Sequence, residues 1–290
     1  MAGPPDGGHA DKKPAEAFED KVAALLRANG LPPRTISLMV YSTRKRRTLY
    51  RLDETRPRPA ASNIKLLIGF AALKVLKPRY RWRTRFILTE ENDDEDGPNR
   101  QGLLVEASGD PSTTRADLEK IALKLRSRGL RRLRNGIYLK GRLPAYPPIP
   151  PGRDAPDSIH PWNAPFSPFI VSGHRIRFIL SPARTGDGFT VMTAVPGIHA
   201  VPAIRAAWKG RFRIQVKQSW RANRGRFIFS GLPRPSISPQ EISIPVDRPR
   251  LFYDHLLKAA LLRAGVQPPP IPWRPSSCRA VRWAGDTLSL

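Results

Sequence analysis

A mixed α/β fold is what the sequence predicts, on three observations. Apolar residues recur at helical spacing in four separate stretches. Short runs rich in β-branched and aromatic residues lie between and after them. The 290-residue length suffices for a sizeable core, in one large domain or in two to three smaller ones. Helices and strands interleave up to about residue 140, whereas strands alone fill residues 174 to 246, so an α/β part precedes a mainly β part.

Residues 1 to 14 read as a disordered leader that lacks the apolar core of a secretory signal. Ala15 to Ala28 places Phe18, Val22, Leu25 and Leu26 at helical spacing and ends at Asn29-Gly30, which predicts an amphipathic helix. Thr35 to Tyr41 and Thr48 to Leu52 flank the basic turn Ser42 to Arg47 and predict a hairpin. A helix from about Ser62 to Lys77 follows, then a strand near Arg83 to Leu88. The acidic run Glu90 to Gly97 holds six of the 24 acids and reads as a solvated loop. The strand Gly102 to Glu106, the helix Arg115 to Arg128 with Leu118, Ile121, Ala122 and Leu125 on one face, and the strand Leu133 to Leu139 form a small α/β unit. The proline-rich segment Leu143 to Pro168 predicts an extended connection. Strands are expected at His174 to Leu180, Phe189 to Val195, Arg211 to Lys217, Arg226 to Ser230 and Glu241 to Val246. A last helix, Leu251 to Ala264, stops at Gly265 before a second proline-rich tail.

The balance of 50 Lys+Arg against 24 Asp+Glu, a net charge of +26, predicts attraction to polyanions without saying which. The single cysteine, Cys278, excludes an internal disulfide and a cysteine metal cluster. The five histidines fall at no metal-ligand spacing, so no metal or diffusible cofactor is expected, and His255 reads as a surface or capping residue. No run of roughly 18 apolar residues occurs, so no transmembrane segment is expected.

One stretch carries chemistry. Arg58-Pro-Ala-Ala-Ser-Asn-Ile-Lys-Leu-Leu-Ile-Gly-Phe-Ala-Ala-Leu73 sets Ser62 and Lys65 three residues apart at the start of a helix. From Pro59 to Leu73 there are fifteen residues and one charge, Lys65, where the 26% charged composition of the chain leads one to expect about four. Burial on most sides follows, with Ile64, Leu67, Ile68, Ala71 and Val75 on one face and Gly69, Ala72 and Leu76 on another. Positions i and i+3 share a helix face, so the Ser62 hydroxyl and the Lys65 amine come within reach of each other. Burial and the positive end of the helix both disfavour a charged lysine, and a neutral one could accept the serine's proton. Against that stands the plainer reading, in which Ser62 or Asn63 caps the helix and Lys65 extends to water.

The surrounding residues add to this pair. The stretch from Arg58 through Leu76, then Tyr80-Arg-Trp-Arg-Thr84, Glu106-Ala-Ser-Gly-Asp-Pro111, Trp162-Asn-Ala-Pro-Phe-Ser-Pro168, Phe229-Ser-Gly-Leu-Pro233 and Val246-Asp-Arg-Pro-Arg-Leu-Phe252 occur in that order. Together they resemble the D-alanyl-D-alanine carboxypeptidases of the penicillin-binding protein 4 type, over roughly residues 35 to 266. The resemblance implies an α/β serine beta-lactamase/transpeptidase-like domain, here incomplete, that carries a large insertion of two subdomains. Its expected boundaries are 15–88 and 241–290 for the split catalytic domain, 89–163 for an inserted α/β subdomain and 164–240 for an inserted mainly β subdomain.

By the same resemblance Ser62 is the acylated nucleophile and Lys65 the general base of a serine-type carboxypeptidase or endopeptidase. Its partner is a peptidoglycan stem peptide ending in D-Ala-D-Ala, its acylating inhibitors are beta-lactams, and its expected location is the periplasm or cell envelope. The family also uses a Ser-x-Asn motif and a Lys-Thr-Gly strand beyond the segment matched by Val266. The sequence to Leu290 contains neither, and Arg184-Thr-Gly186, early in the order, reads as a turn. The expectation is therefore a nucleophile without the full set of groups opposite it, and an exposed sheet edge that lowers solubility.

A second function class competes. From Gly188 to Gln240 there is no acidic residue, while nine basic residues, Arg205, Lys209 and Arg211 first among them, interleave with Trp208, Phe212, Trp220 and Phe227. That is the composition of a nucleic-acid- or polyanion-binding surface without catalysis. The alternation Arg211-Phe-Arg-Ile-Gln-Val-Lys217 equally fits a half-buried strand with a solvated basic face.

Overall fold

The computed structural model describes residues 14–91, 100–133, 136–141, 149, 159–183, 188–204, 213–221, 224–232, 239–268 and 287–289. The acidic stretch from Asn92, the Arg184-Thr-Gly186 turn, the 143–148 connector and most of the tail beyond Pro268 lie outside them. The chain divides into two units, Met1–Tyr80 and Arg81–Leu290.

In the first unit, helix α1 (Pro14–Ala28) precedes an antiparallel hairpin of β1 (Leu38–Ser42) and β2 (Arg47–Leu52), the pair expected from the sequence. Its register shifts between Val40 and Tyr41, where β2 holds an extra residue, the signature of a bulge. Phe18 of α1 meets Tyr50 of β2 edge to face, with ring centroids 6.3 Å apart. A 3-10 turn, Ala61–Asn63, runs directly into helix α2 (Ile64–Leu76). Two strands and two helices make no closed layer, and among the described residues none from 18 to 80 is buried.

The expected burial of α2 is therefore overturned. No α2 side chain is buried, and Leu66, Leu67, Ile68, Phe70, Leu73 and Val75 all stand open. The physical reason lies in the partners. An apolar helix is buried only when another layer covers it, and a two-stranded hairpin whose own residues are at best half-buried supplies no such layer.

The second unit contains the core. Strands β3 (Arg85–Glu91) and β4 (Arg100–Glu106) pair antiparallel; β4 then crosses through helix α3 (Arg115–Ser127) to a parallel neighbour, β5 (Ile137–Lys140). Helix α3 buries the four residues its spacing singles out, Leu118, Ile121, Ala122 and Leu125, against Phe86, Leu103 and Val105 in the same cluster. A second sheet joins β6 (Arg175–Pro182), β7 (Phe189–Met192) and β11 (Gln240–Pro245) in the order β11-β6-β7. A third joins β8 (Ile198–Ile204), β9 (Arg213–Arg221) and β10 (Arg224–Leu232) in the order β8-β10-β9. The inner faces of these two sheets meet through Phe178, whose ring centroid lies 5.2 Å from Phe227 and 4.9 Å from Phe229.

Helix α4 (Pro249–Arg263) joins the pieces. Trp220 of β9 packs 6.0 Å from Phe252, Phe169 packs 5.9 Å from Tyr253, and Arg250 donates to the Leu139 carbonyl of β5 at 3.2 Å. Residues 240–263 thus share the core of the unit that holds β3 to β10. His255, expected at the surface, is 5% exposed, its Nε2 against the Pro196 carbonyl. A short strand, β12 (Thr287–Ser289), adds an edge beside β3. Among the described residues no helix is long and apolar enough to cross a membrane.

Candidate active site

Ser62 occupies the middle of the 3-10 turn and Lys65 the second position of α2. Lys65 Nζ lies 3.3 Å from Ser62 Oγ, so the spacing does bring the two groups together. Capping, the plainer reading, is not realised at Asn63. That residue is already helical at φ −65°, ψ −24°, and its side chain makes no cap hydrogen bond. The Ser62 hydroxyl is engaged by the lysine amine.

Two features of the approach to Ser62 were not legible beforehand. Ala61 sits at φ +45°, in the left-handed region that a side chain with a Cβ adopts only at a cost of about 1–3 kcal/mol. Such strain is concentrated where a loop must present one side chain in a fixed direction. Arg58, the first residue of the motif, fixes the entry to this turn. Its guanidinium bonds the Ser37 hydroxyl, donates to the Arg34 carbonyl at 2.9 Å and pairs with Asp53 at 3.1 Å. The only hint in the sequence was that Arg58 opens the stretch carrying the resemblance.

Both Ser62 and Lys65 are exposed, so the dry setting expected around the lysine is not found among the described residues. What the pair can do chemically is nonetheless defined by its separation. Lys65 Nζ donates to Ser62 Oγ in this geometry, and in its uncharged form an amine so placed can take the hydroxyl proton as the oxygen attacks an acyl carbon. No group of three or more His, Cys, Asp or Glu arranged for a metal ion occurs among the described residues.

Other motif segments join one another within the second unit. The Gly109 amide donates to the Pro168 carbonyl at 3.0 Å, tying Ser-Gly-Asp-Pro to Trp-Asn-Ala-Pro-Phe-Ser-Pro, and Asp110 Oδ1 accepts from the Ser112 amide and hydroxyl. Of the basic run, Lys217 and Arg221 on β9 and Arg224 and Arg226 on β10 are exposed, while Ile214, Val216, Phe227 and Phe229 between them are buried. This is the alternation of half-buried strands with a solvated basic face. Arg205, Lys209, Arg211 and Arg234 lie outside the described residues.

Comparison with known proteins gives a family and a fold. Residues 18–269 match the D-Ala-D-Ala carboxypeptidase 3 (S13) family. Among solved structures, penicillin binding protein 4 from Haemophilus influenzae superposes with a TM-score of 0.68 at 15% sequence identity, covering 87% of this chain and 55% of that one. The same protein complexed with a novel beta-lactam superposes with a TM-score of 0.57 at 14% identity, covering 87% and 54%. The chain thus spans about half the length of these structures. No curated protein matches it.

Proposed function

The chain belongs to the D-Ala-D-Ala carboxypeptidase 3 (S13) family, and from that premise we propose that it carries the acyl-transfer pair of a serine-type D-alanyl-D-alanine carboxypeptidase acting on peptidoglycan stem peptides. The observation that carries the reading is the 3.3 Å approach of Lys65 Nζ to Ser62 Oγ inside a family match spanning residues 18–269. In this reading Lys65 accepts the Ser62 proton as Oγ adds to the carbonyl carbon between the two terminal D-alanines. The tetrahedral oxyanion collapses, the C–N bond breaks, and the departing D-alanine amine takes the proton. Water, deprotonated in turn by the lysine, then releases the shortened peptide and restores the serine.

A location in the cell envelope beside that substrate belongs to the same proposal. Full turnover further requires donors for the oxyanion. Each is worth roughly 100- to 1000-fold in rate. Acylation by a strained beta-lactam is the less demanding reaction and the better test.

Intact-mass measurement after incubation with a fluorescent penicillin should show one adduct, mapping to Ser62. Ser62→Ala should show none, and Lys65→Met should slow the adduct by about 100- to 10,000-fold, the range for loss of a positioned base. A folded wild-type chain without an adduct would sink the reading. The alternative, polyanion binding without catalysis, has the exposed basic face of β9 and β10 in its favour. It would show as a salt-dependent shift of nucleic-acid mobility that Ser62→Ala leaves intact.

A further inference from the structure

A cleft of about 580 Å³ opens in the second unit between the start of α3 and the outer face of β6 and β11. Its volume falls within the roughly 300–1,000 Å³ typical of small-molecule sites. Three guanidiniums line it, Arg115 from α3 and Arg175 and Arg177 from β6, together with the hydroxyl-bearing Ser172 and Ser243. Arg175 and Arg177 share one face of β6 because they alternate with buried Ile176 and Phe178. Ser243 stands opposite Arg177 in the β11 register.

The one carboxylate in the lining, Glu119, is already engaged. Its Oε1 accepts from Arg115 Nε at 3.1 Å and from Arg263 Nη1 at 2.7 Å. Arg177 pairs with Glu241 at 3.0 Å, but both partners are more than half exposed and hold each other weakly. Among the described residues no carboxylate pairs with Arg175, whose Nε would lie 3.5 Å from a Cβ placed on Gly173. The cleft therefore presents guanidinium donors in excess of the acids that face them. The helix end adds little, because the α3 N-terminus is satisfied by its own Thr114–Asp117 capping box.

A second observation marks the same place. Ser172, Gly173 and His174 are consecutive left-handed residues at φ +49°, +62° and +55°, and two of them carry a Cβ. The Ser172 amide donates to the Thr113 carbonyl at 2.9 Å, which pins this strained turn to the start of α3. Strain of this kind collects where a turn must hold groups for a ligand.

We propose that this cleft binds a small ligand carrying at least two carboxylate or phosphate groups. Planar guanidiniums recognise such groups in bidentate fashion, and the serine hydroxyls add donors of their own. The proposal is independent of Ser62 chemistry.

Titration calorimetry of the full chain at physiological ionic strength, with inorganic pyrophosphate and with citrate as probes, tests it. One saturable site is expected, and the tighter probe assigns phosphate or carboxylate. The double substitution Arg175→Gln with Arg177→Gln should weaken binding about tenfold or more, whereas Arg221→Gln with Arg224→Gln, on the basic face of β9 and β10, should change it less than about twofold. No saturable binding of either probe, or equal weakening by both double variants, would overturn the proposal in favour of diffuse attraction to a +26 chain. If the glutamine variant fails to fold, Arg175→Lys with Arg177→Lys keeps the charge and removes the planar fork. Unchanged binding by that folded variant would equally overturn it.

Discussion

Helix α2 carries two lysines in thirteen residues and buries no side chain, with Leu66 and Val75 each 77% exposed. Helix α4 carries two arginines, an aspartate, a histidine and a lysine in fifteen residues, and buries nine positions. Apolar content alone did not decide which helix is inside. Helix α4 is enclosed by α3, β5, β9 and the Phe169 segment, whereas the first unit offers α2 only helix α1 and a hairpin. The lysines follow suit. Lys258 is sealed at 5% exposure with Asp254 at 2.6 Å, while Lys65 stands open beside Ser62. The candidate chemistry thus sits on the less enclosed of the two helices, where local opening costs least.

Amide hydrogen exchange should give the largest contrast. Amides of α4 should exchange only through global unfolding, and those of α2 at least about a thousandfold faster through local opening. Equal protection in the two helices would break the comparison. Next in size, Phe227→Ala should cost about 3–5 kcal/mol in denaturant unfolding, because Phe227 is fully buried between Phe178 and Trp220. Leu66→Ala, at a 77% exposed site, should stay within about 0.5 kcal/mol. A large loss at Leu66 would mean that α2 is covered in solution.

The same contrast explains what could be read from the sequence. The buried face of α3 was legible to the residue, because Leu118, Ile121, Ala122 and Leu125 repeat at 3.6-residue spacing and the unit contains a sheet to receive them. The pattern of α2 was as clear, but periodicity reports that a helix seeks a partner layer, not that one is present. Strand β8 went unread because Pro202 interrupts its pattern; proline is tolerated there because β8 is the edge of its sheet and runs parallel to β10. Three-residue β12 has no pattern of its own and exists through its register with β3. In the site, the proximity of Ser62 and Lys65 followed from i, i+3 spacing. The left-handed Ala61 and the Arg58 contacts to Ser37, Arg34 and Asp53 did not, since they depend on how distant segments meet.

Acid should act on the second unit through a buried histidine. Burial pushes His174 down to about 4 from its ordinary 6.5, and neither ring nitrogen has a partner among the described residues. The unfolded chain therefore binds a proton at His174 that the folded chain refuses. Its contribution is fully present above about pH 6.5 and is lost as pH falls toward 4. His174→Asn keeps a residue tolerant of the left-handed backbone and removes the titration. Its melting temperature should fall less than that of wild type between pH 7 and pH 4.5. Parallel losses in the two proteins would show that other groups set the acid response.

The smallest effects concern helix starts. Thr114 Oγ1 accepts from the Asp117 amide at 3.3 Å, and the Asp117 carboxylate accepts from the Thr114 amide at 3.0 Å and from its hydroxyl at 2.7 Å. These bonds, the Thr114 side chain first, hold the Asp117 carboxyl below its ordinary value. Their contribution is therefore present above the ordinary carboxyl range and is lost as pH falls through it. Thr114→Ala should cost about 1 kcal/mol at neutral pH, Thr114→Ser should recover most of it, and the difference should shrink near pH 3. At the start of α2 the corresponding residue, Asn63, makes no cap bond, so Asn63→Ala should be neutral within a few tenths of a kcal/mol. A cost at Asn63 equal to that at Thr114 would mean that the turn holding Ser62 is stabilised in solution by a bond from the Asn63 side chain.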